Sequence, residues 1–227
     1  MRQFACLFGM MLLLLACQPT EKQTEESKPV DPAKPTFEQT ESKAAKKVLF
    51  FGNSLTAGYG LDDPLDAFPM LIQDKINDLD KDYEVVNAGL SGETTASGNN
   101  RVNWVLNQKV DIFVLELGGN DGLRGINPDE TRRNLQQIID KVMTHNSECT
   151  LVLTGMEAPP NMGEDFTSKF RAIFPELAQQ NNTALVPFLL DGVGGIKELN
   201  QPDGIHPTAE GHKILAENVW KVLRELL

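Results

Sequence analysis

The stretch Val48-Leu49-Phe50-Phe51-Gly52-Asn53-Ser54-Leu55-Thr56-Ala57-Gly58-Tyr59-Gly60 decides the fold. Its unbroken apolar run, without polar alternation, reads as a strand covered on both faces, as in parallel α/β sheets, and Gly52 ends it. Reacting groups in such sheets collect at the carboxyl ends of strands, which is where Ser54 stands. A serine in that place is more often a turn or helix N-cap residue. The rest of the chain has to decide between the two readings.

Downstream, the pattern alternates. Residues 67–79 carry Phe68, Leu71, Ile72, Ile76 and Leu79 at helical spacing, with Asp66 placed to cap the helix and Pro69 tolerated in its first turn. Strands are expected at 83–87, 111–117, 150–154 and 184–186. Between them lie a helix-like stretch ending near Gln108, a helix whose inner face is Leu135, Ile138, Ile139, Val142 and Met143, and another over residues 165–180. Asn127-Pro128-Asp129-Glu130 is a strong helix start: a capping residue, proline at the first helical position, and an acid three residues after the cap. Residues 157–163, rich in proline and glycine, read as a loop. The last helix presents Ile214, Leu215, Val219, Val222, Leu223 and Leu226. Five strands alternating with helices make a parallel sheet with right-handed crossovers.

The chain has 227 residues and a net charge of −11. The first 46 residues hold as many acids as bases, so the acidic excess lies wholly in the globular part. No basic stripe exists to neutralise phosphates, which excludes nucleic acid as a partner. Cys6, Cys17 and Cys149 are the three cysteines and make no disulfide framework; Cys149 reads as a small buried hydrophobe.

Met1-Arg2-Gln3 followed by the apolar residues 4–16 has the form of a signal-peptide core. It ends in Leu14-Leu15-Ala16-Cys17, which resembles the lipobox of bacterial lipoproteins, in which cleavage exposes a cysteine that is then acylated. That resemblance implies an exported protein held at a cell-envelope membrane by lipid on Cys17, without a transmembrane helix. Residues 17–46 are rich in Glu, Lys, Thr, Ser and Pro and bury no core, so they read as a tether that as a flexible coil spans roughly 30 Å. The globular domain is expected over residues 47–227.

Three polar loops (52–60, 89–95 and 118–122) follow three consecutive strands and therefore gather at one edge of the sheet. Asp203 and His206 lie just before the last helix, where the topology brings them to the same edge. The other two histidines read as structural: His145 falls at a helix C-terminus, where a cation suits the dipole, and His212 falls within the last helix. Serine oxygen is a poor nucleophile and needs a base, and a neutral imidazole held by a carboxylate is the usual solution. An Asp-x-x-His spacing lets one turn of chain supply both, while a glycine N–H and a side-chain amide can receive the oxyanion.

Gly52-Asn53-Ser54-Leu55, Asn87-Ala88-Gly89-Leu90-Ser91-Gly92, Gly118-Gly119-Asn120-Asp121 and Asp203-Gly204-Ile205-His206-Pro207 resemble, in order and spacing, the four sequence blocks of the GDSL or SGNH hydrolases. The likeness covers about residues 48–227 and is nearest to the bacterial arylesterase, acyl-CoA thioesterase and lysophospholipase group, to which Leu117-Gly118-Gly119-Asn120-Asp121-Gly122-Leu123-Arg124-Gly125 is especially specific. The resemblance implies Ser54 as nucleophile, His206 as general base and then acid, and Asp203 as the group that orients His206. It also implies an oxyanion hole from the Ser54 and Gly92 backbone N–H groups and the Asn120 side chain. The fold implied is a flavodoxin-like three-layer α/β/α sandwich, and the substrates aryl or short-chain esters, lysophospholipids and possible thioesters. One departure is plain: the family has aspartate where this chain has Asn53. Asparagine keeps the shape and an acceptor oxygen but loses the charge, so the turn is expected to survive and the activation of Ser54 to change modestly.

Other readings of the turn fare worse. It lacks the G-x-x-x-x-G-K-[ST] pattern of a phosphate loop, and neither H-E-x-x-H nor paired Cys/His ligands occur, so no metal or cofactor is expected. The rival of a different class is a membrane-tethered lipoprotein that keeps the hydrolase fold for binding alone. The presence of nucleophile, base, orienting acid and both extra donors speaks against it.

Overall fold

The computed structural model describes residues 45–227. The expected leader over residues 1–16, Cys17 with its expected acylation and nearly all of the expected tether lie outside the described residues, and the tether's expected final residue, Lys46, already opens the first strand. Five strands form one parallel sheet: β1 (Lys46–Gly52), β2 (Tyr83–Gly89), β3 (Ile112–Glu116), β4 (Thr150–Thr154) and β5 (Ala184–Val186), in the order β2-β1-β3-β4-β5. The helices are α1 (Ser54–Ala57), α2 (Phe68–Asn77), α3 (Thr95–Val105), α4 (Gly119–Leu123), α5 (Pro128–His145), α6 (Glu164–Asn181) and α7 (Ala209–Leu223). Helices α2 and α7 pack together on one face of the sheet, and α3, α5 and α6 on the other. The result is the expected three-layer α/β/α sandwich.

The apolar run of β1 is buried because both faces are covered. Phe50 meets Phe68 of α2 edge-on at 5.6 Å between ring centroids. Phe51, pointing the opposite way, lies 5.6 Å from Phe113 of β3 and beneath the Arg101 guanidinium of α3. The sheet order reverses at β1 and β3, since β1 continues to β2 on one side and β3 to β4 on the other. The crevice at that reversal, at the carboxyl ends, is where such sheets hold their ligands. On the outer edge, Gln73 of α2 occupies the free hydrogen-bonding groups of β2: its Oε1 accepts from Val85 N–H at 2.6 Å and its Nε2 donates to the Tyr83 carbonyl at 3.1 Å. The exposed edge is thereby partly blocked to pairing with another strand.

Two helix starts show where local pattern and tertiary packing part. Asn127 caps α5 as expected, accepting from Asp129 N–H at 2.9 Å with Pro128 at the first helical position. Asp66, by contrast, does not cap α2. It closes a one-turn 3₁₀ helix over Pro64–Asp66 whose own cap is Asp63, and α2 starts at Phe68 behind Ala67, which offers no side-chain acceptor. The acceptor comes from across the layer instead: His212 Nδ1 of α7 takes the Phe68 N–H at 3.2 Å. Leu79, expected on the inner face, lies beyond the helix end and is exposed. Cys149 is buried, and burial pushes its thiol up to about 11, which keeps it inert.

His212 is buried, and its Nδ1 must stay unprotonated to receive the Phe68 N–H. Burial, and secondarily the charge on His206, pushes its pKa down to about 4 from 6.5. A base whose folded pKa is depressed binds its proton in the unfolded chain first, so stability falls as pH drops from 6.5 toward 4. Buried Glu116 works in the opposite sense, its pKa being raised from 4.5 to about 7, so a single pH–stability curve mixes the two. His212→Asn keeps an acceptor near the same place and abolishes one titration. Urea unfolding of both proteins should show the parent losing up to about 3 kcal/mol relative to the variant between pH 6.5 and 4; parallel curves would refute this account of His212.

Candidate active site

At the carboxyl edge the strand ends converge. Ser54 is the first residue of α1, and Asn53 rather than the serine is the N-cap: its Oδ1 accepts from Leu55 N–H at 2.9 Å. The serine hydroxyl is therefore released from backbone duty and makes a 2.9 Å hydrogen bond with His206 Nε2. His206 Nδ1 in turn lies 2.6 Å from Asp203 Oδ2. The other oxygen of Asp203 accepts from the backbone N–H groups of Ile205 at 2.9 Å and His206 at 3.0 Å. One carboxylate thus folds the turn that carries the imidazole and fixes its tautomer, with Nδ1 protonated and Nε2 free to accept from serine. The His206 ring, followed by these backbone donors, lowers the Asp203 carboxyl to about 2 even though it is exposed.

All three residues singled out for the relay are brought together, and the expected oxyanion donors stand on the turns that follow β1, β2 and β3 at the same edge of the sheet. Asn120 sits in α4, directly after β3, where its Nδ2 donates one hydrogen to the Glu93 carbonyl at 3.0 Å and keeps the second. Gly92 occupies the loop after β2 with φ of 81°, and its carbonyl accepts from Arg124 at 3.1 Å. The Ser54 N–H, at the first position of a helix, has no intrahelical acceptor.

Several supporting residues escaped the sequence reading. Glu93 is buried and clamped by Arg101, which reaches it through Nε and Nη2 and also donates to the Ala88 carbonyl, tying the loop after β2 to α3. Buried Asp121, beside Asn120, accepts from the Thr95 N–H and from the hydroxyls of Thr95 and Thr131. Tyr59 packs against the His206 ring with centroids 4.6 Å apart. Gln201 bridges the two halves of the relay: its Nε2 donates to the Tyr59 carbonyl at 2.7 Å and to the Pro207 carbonyl at 2.9 Å. Glu116 at the end of β3 is fully buried and accepts from Asn53 and Thr56. Only Glu116 carried a readable signal, as a single charge inside an apolar strand.

Residues 50–214 match the profile of the GDSL-like lipase/acylhydrolase family. The chain belongs to this family. Esterase TesA of Pseudomonas aeruginosa is 40% identical over 83% of this chain and 92% of its own length. Thioesterase 1/protease 1/lysophospholipase L1 of Escherichia coli K12 is 37% identical over 81% of this chain and 86% of its own. The crystal structure of TesA superposes with a TM-score of 0.76, covering 80% of this chain and all of that one at 40% identity. The chain is accordingly a carboxylic ester hydrolase of the serine type, and nothing in these comparisons favours a non-catalytic binder.

The Gln201 bridge gives a direct test of how the relay is held. Gln201→Ala removes the side-chain bond that crosses to the serine turn at Tyr59 and the one to Pro207 within the histidine loop, while leaving the Gln201 N–H to the His206 carbonyl. Steady-state kinetics on a chromogenic ester should show kcat lowered roughly tenfold through loosened Ser54–His206 geometry. Parent kcat in this variant would mean that the backbone bonds alone suffice.

Proposed function

We propose that Ser54 is the nucleophile, His206 the base and then the acid, and Asp203 the orienting group of an esterase acting on esters with an apolar acyl or aryl group. The observation that carries this reading is the unbroken run from Ser54 Oγ through His206 to Asp203, at 2.9 and 2.6 Å. Ser54 attacks the ester carbonyl as its proton passes to His206 Nε2, whose positive charge Asp203 stabilises. The oxyanion that forms is received by the N–H groups of Ser54 and Gly92 and by the free Asn120 amide hydrogen. The alcohol leaves with the proton from His206, and water then releases the acid by the same route.

Exposed apolar residues on the site loops support the substrate class. Tyr59, Leu90, Leu123 and Ile205 stand, respectively, on the turn after β1, the loop after β2, α4 beside Asn120, and the turn next to His206. They offer an apolar rim to an acyl chain or aromatic ring and no basic cluster for a nucleotide carrier. The leader and Leu14-Leu15-Ala16-Cys17 support export and lipid anchoring on Cys17, which would place the domain outside the cytoplasm and away from acyl-CoA. Lysophospholipids, aryl or short-chain esters and acylated sugars then remain.

The deciding experiment sets the domain against p-nitrophenyl esters of increasing chain length. Ser54→Ala is expected to abolish turnover, and Asn120→Ala to lower kcat by on the order of 10²–10³ through loss of one oxyanion donor. Parent rates in both variants would remove the assignment. A profile rising toward longer chains favours the lysophospholipid role, and one falling steeply favours short or aryl esters.

A further inference from the structure

Three buried acids stand near the site, and two have evident partners. Glu93 is paired with Arg101, and Asp121 is held by Thr95 and Thr131. Glu116 has no cation partner among the described residues. It is completely buried and accepts three hydrogen bonds, from Asn53 N–H at 3.1 Å, Asn53 Nδ2 at 2.7 Å and Thr56 Oγ1 at 2.8 Å. Burial pushes its carboxyl up to about 7 against the pull of these donors. Packing alone does not account for such a group, since an apolar residue of similar size is generally as good or better in a core. All three of its donors lie within two residues of Ser54.

We infer that Glu116 is a positioning residue that sets the Ser54 hydroxyl against His206, and that Asn53 and Glu116 form an exchangeable amide–carboxylate pair. The inference rests on Ser54 being the nucleophile. The amide of Asn53 is locked in one orientation, because Oδ1 receives the Leu55 N–H while Nδ2 faces Glu116 Oε1. Glu116 Oε2 meanwhile holds the Asn53 N–H and the Thr56 hydroxyl. The end of β1 and the first turn of α1 are thereby pinned to β3 on either side of the serine.

The pattern makes a prediction that loss of packing does not. Glu116→Gln adds an NH₂ group that must face either Asn53 Nδ2 or the Asn53 N–H, so a donor meets a donor whichever way the new amide turns. Flipping Asn53 to relieve this would set its NH₂ against the Leu55 N–H. Adding Asn53→Asp resolves the conflict: the new amide donates to the aspartate, its oxygen accepts from the residue-53 N–H and the Thr56 hydroxyl, and the aspartate's second oxygen still caps Leu55. Every bond is restored, with the direction of one reversed.

Kinetics on a p-nitrophenyl ester with the full set of variants tests this. Glu116→Gln should lower kcat roughly 10- to 100-fold with KM within about twofold, and Asn53→Asp/Glu116→Gln should return kcat to within about threefold of the parent. Parent kcat in the single variant, or a double variant no better than the single, overturns the inference. Ser54→Ala run alongside separates the two claims: if it is inactive while the Glu116 series is flat, only the positioning role fails, and if it retains turnover, the nucleophile assignment fails as well. Should Glu116→Gln not fold, Thr56→Val removes one donor at nearly constant volume and Thr56→Ser keeps it. Lower kcat in the valine variant alone supports the positioning role, and parent kcat in both overturns it.

Discussion

The geometry of the site depends on how closely the ends of β1, β2 and β3 approach one another. A Cβ on Gly52 would lie 2.1 Å from Thr56 Oγ1 and 2.6 Å from Glu116 Oε2, and one on Gly89 would lie 2.3 Å from the Ala57 nitrogen. At those separations any side chain forces the strands apart, so glycine is required by distance and not by backbone angle. The closeness lets a carboxylate on β3 reach the turn after β1, and the Asn87 side chain on β2 donate to the Thr56 carbonyl at 2.8 Å. The serine turn is therefore fastened from both neighbouring strands, and α1 needs only four residues to hold it.

What the sequence displays and what it conceals divide along physical lines. The sheet was legible because β1 and β3 are buried on both faces and must be continuously apolar, and because helices α5 and α7 carry their apolar stripes openly. The relay was legible because Asp203 and His206 are neighbours in sequence and one turn suffices to join them. The support around it was not. Gln201 meets Tyr59 from 142 residues away, and His212 replaces the expected Asp66 at the start of α2 from 144 residues away. A side chain that satisfies a distant backbone group leaves no periodic trace, and capping rules that consider only the preceding residue cannot find it.

The cap at Asn53 shows how one substitution resolves two demands. A helix that begins at the nucleophile requires an acceptor at the preceding position for its first-turn N–H groups. The buried carboxyl of Glu116 requires donors. Asparagine serves both at once, with its oxygen toward Leu55 and its nitrogen toward Glu116. An aspartate in its place would also cap, but it would set two carboxyl groups at hydrogen-bond distance in a buried site, where they must share a proton. With Glu116 in place, asparagine at position 53 keeps the shared hydrogen bound permanently as an amide, where an aspartate there would hold it as a titratable proton.

Glu116 and Asp203 are both carboxyl groups within two residues' contact of the serine–histidine pair, yet their surroundings drive them in opposite directions. Asp203 stands in water, accepts from two backbone N–H groups and faces an imidazole, and its pKa falls to about 2. It stays charged throughout turnover, as stabilising an imidazolium requires. Glu116 is sealed beneath the turn with neutral donors only, and its pKa rises to about 7. Both of its oxygens are taken up by three donors that flank the serine, and hydrogen bonds in a dry site hold backbone firmly. Partners and solvent together sort the two acids: the exposed one, held by an imidazole and two N–H groups, meets the changing charge on histidine, and the buried one keeps the serine where that histidine can reach it.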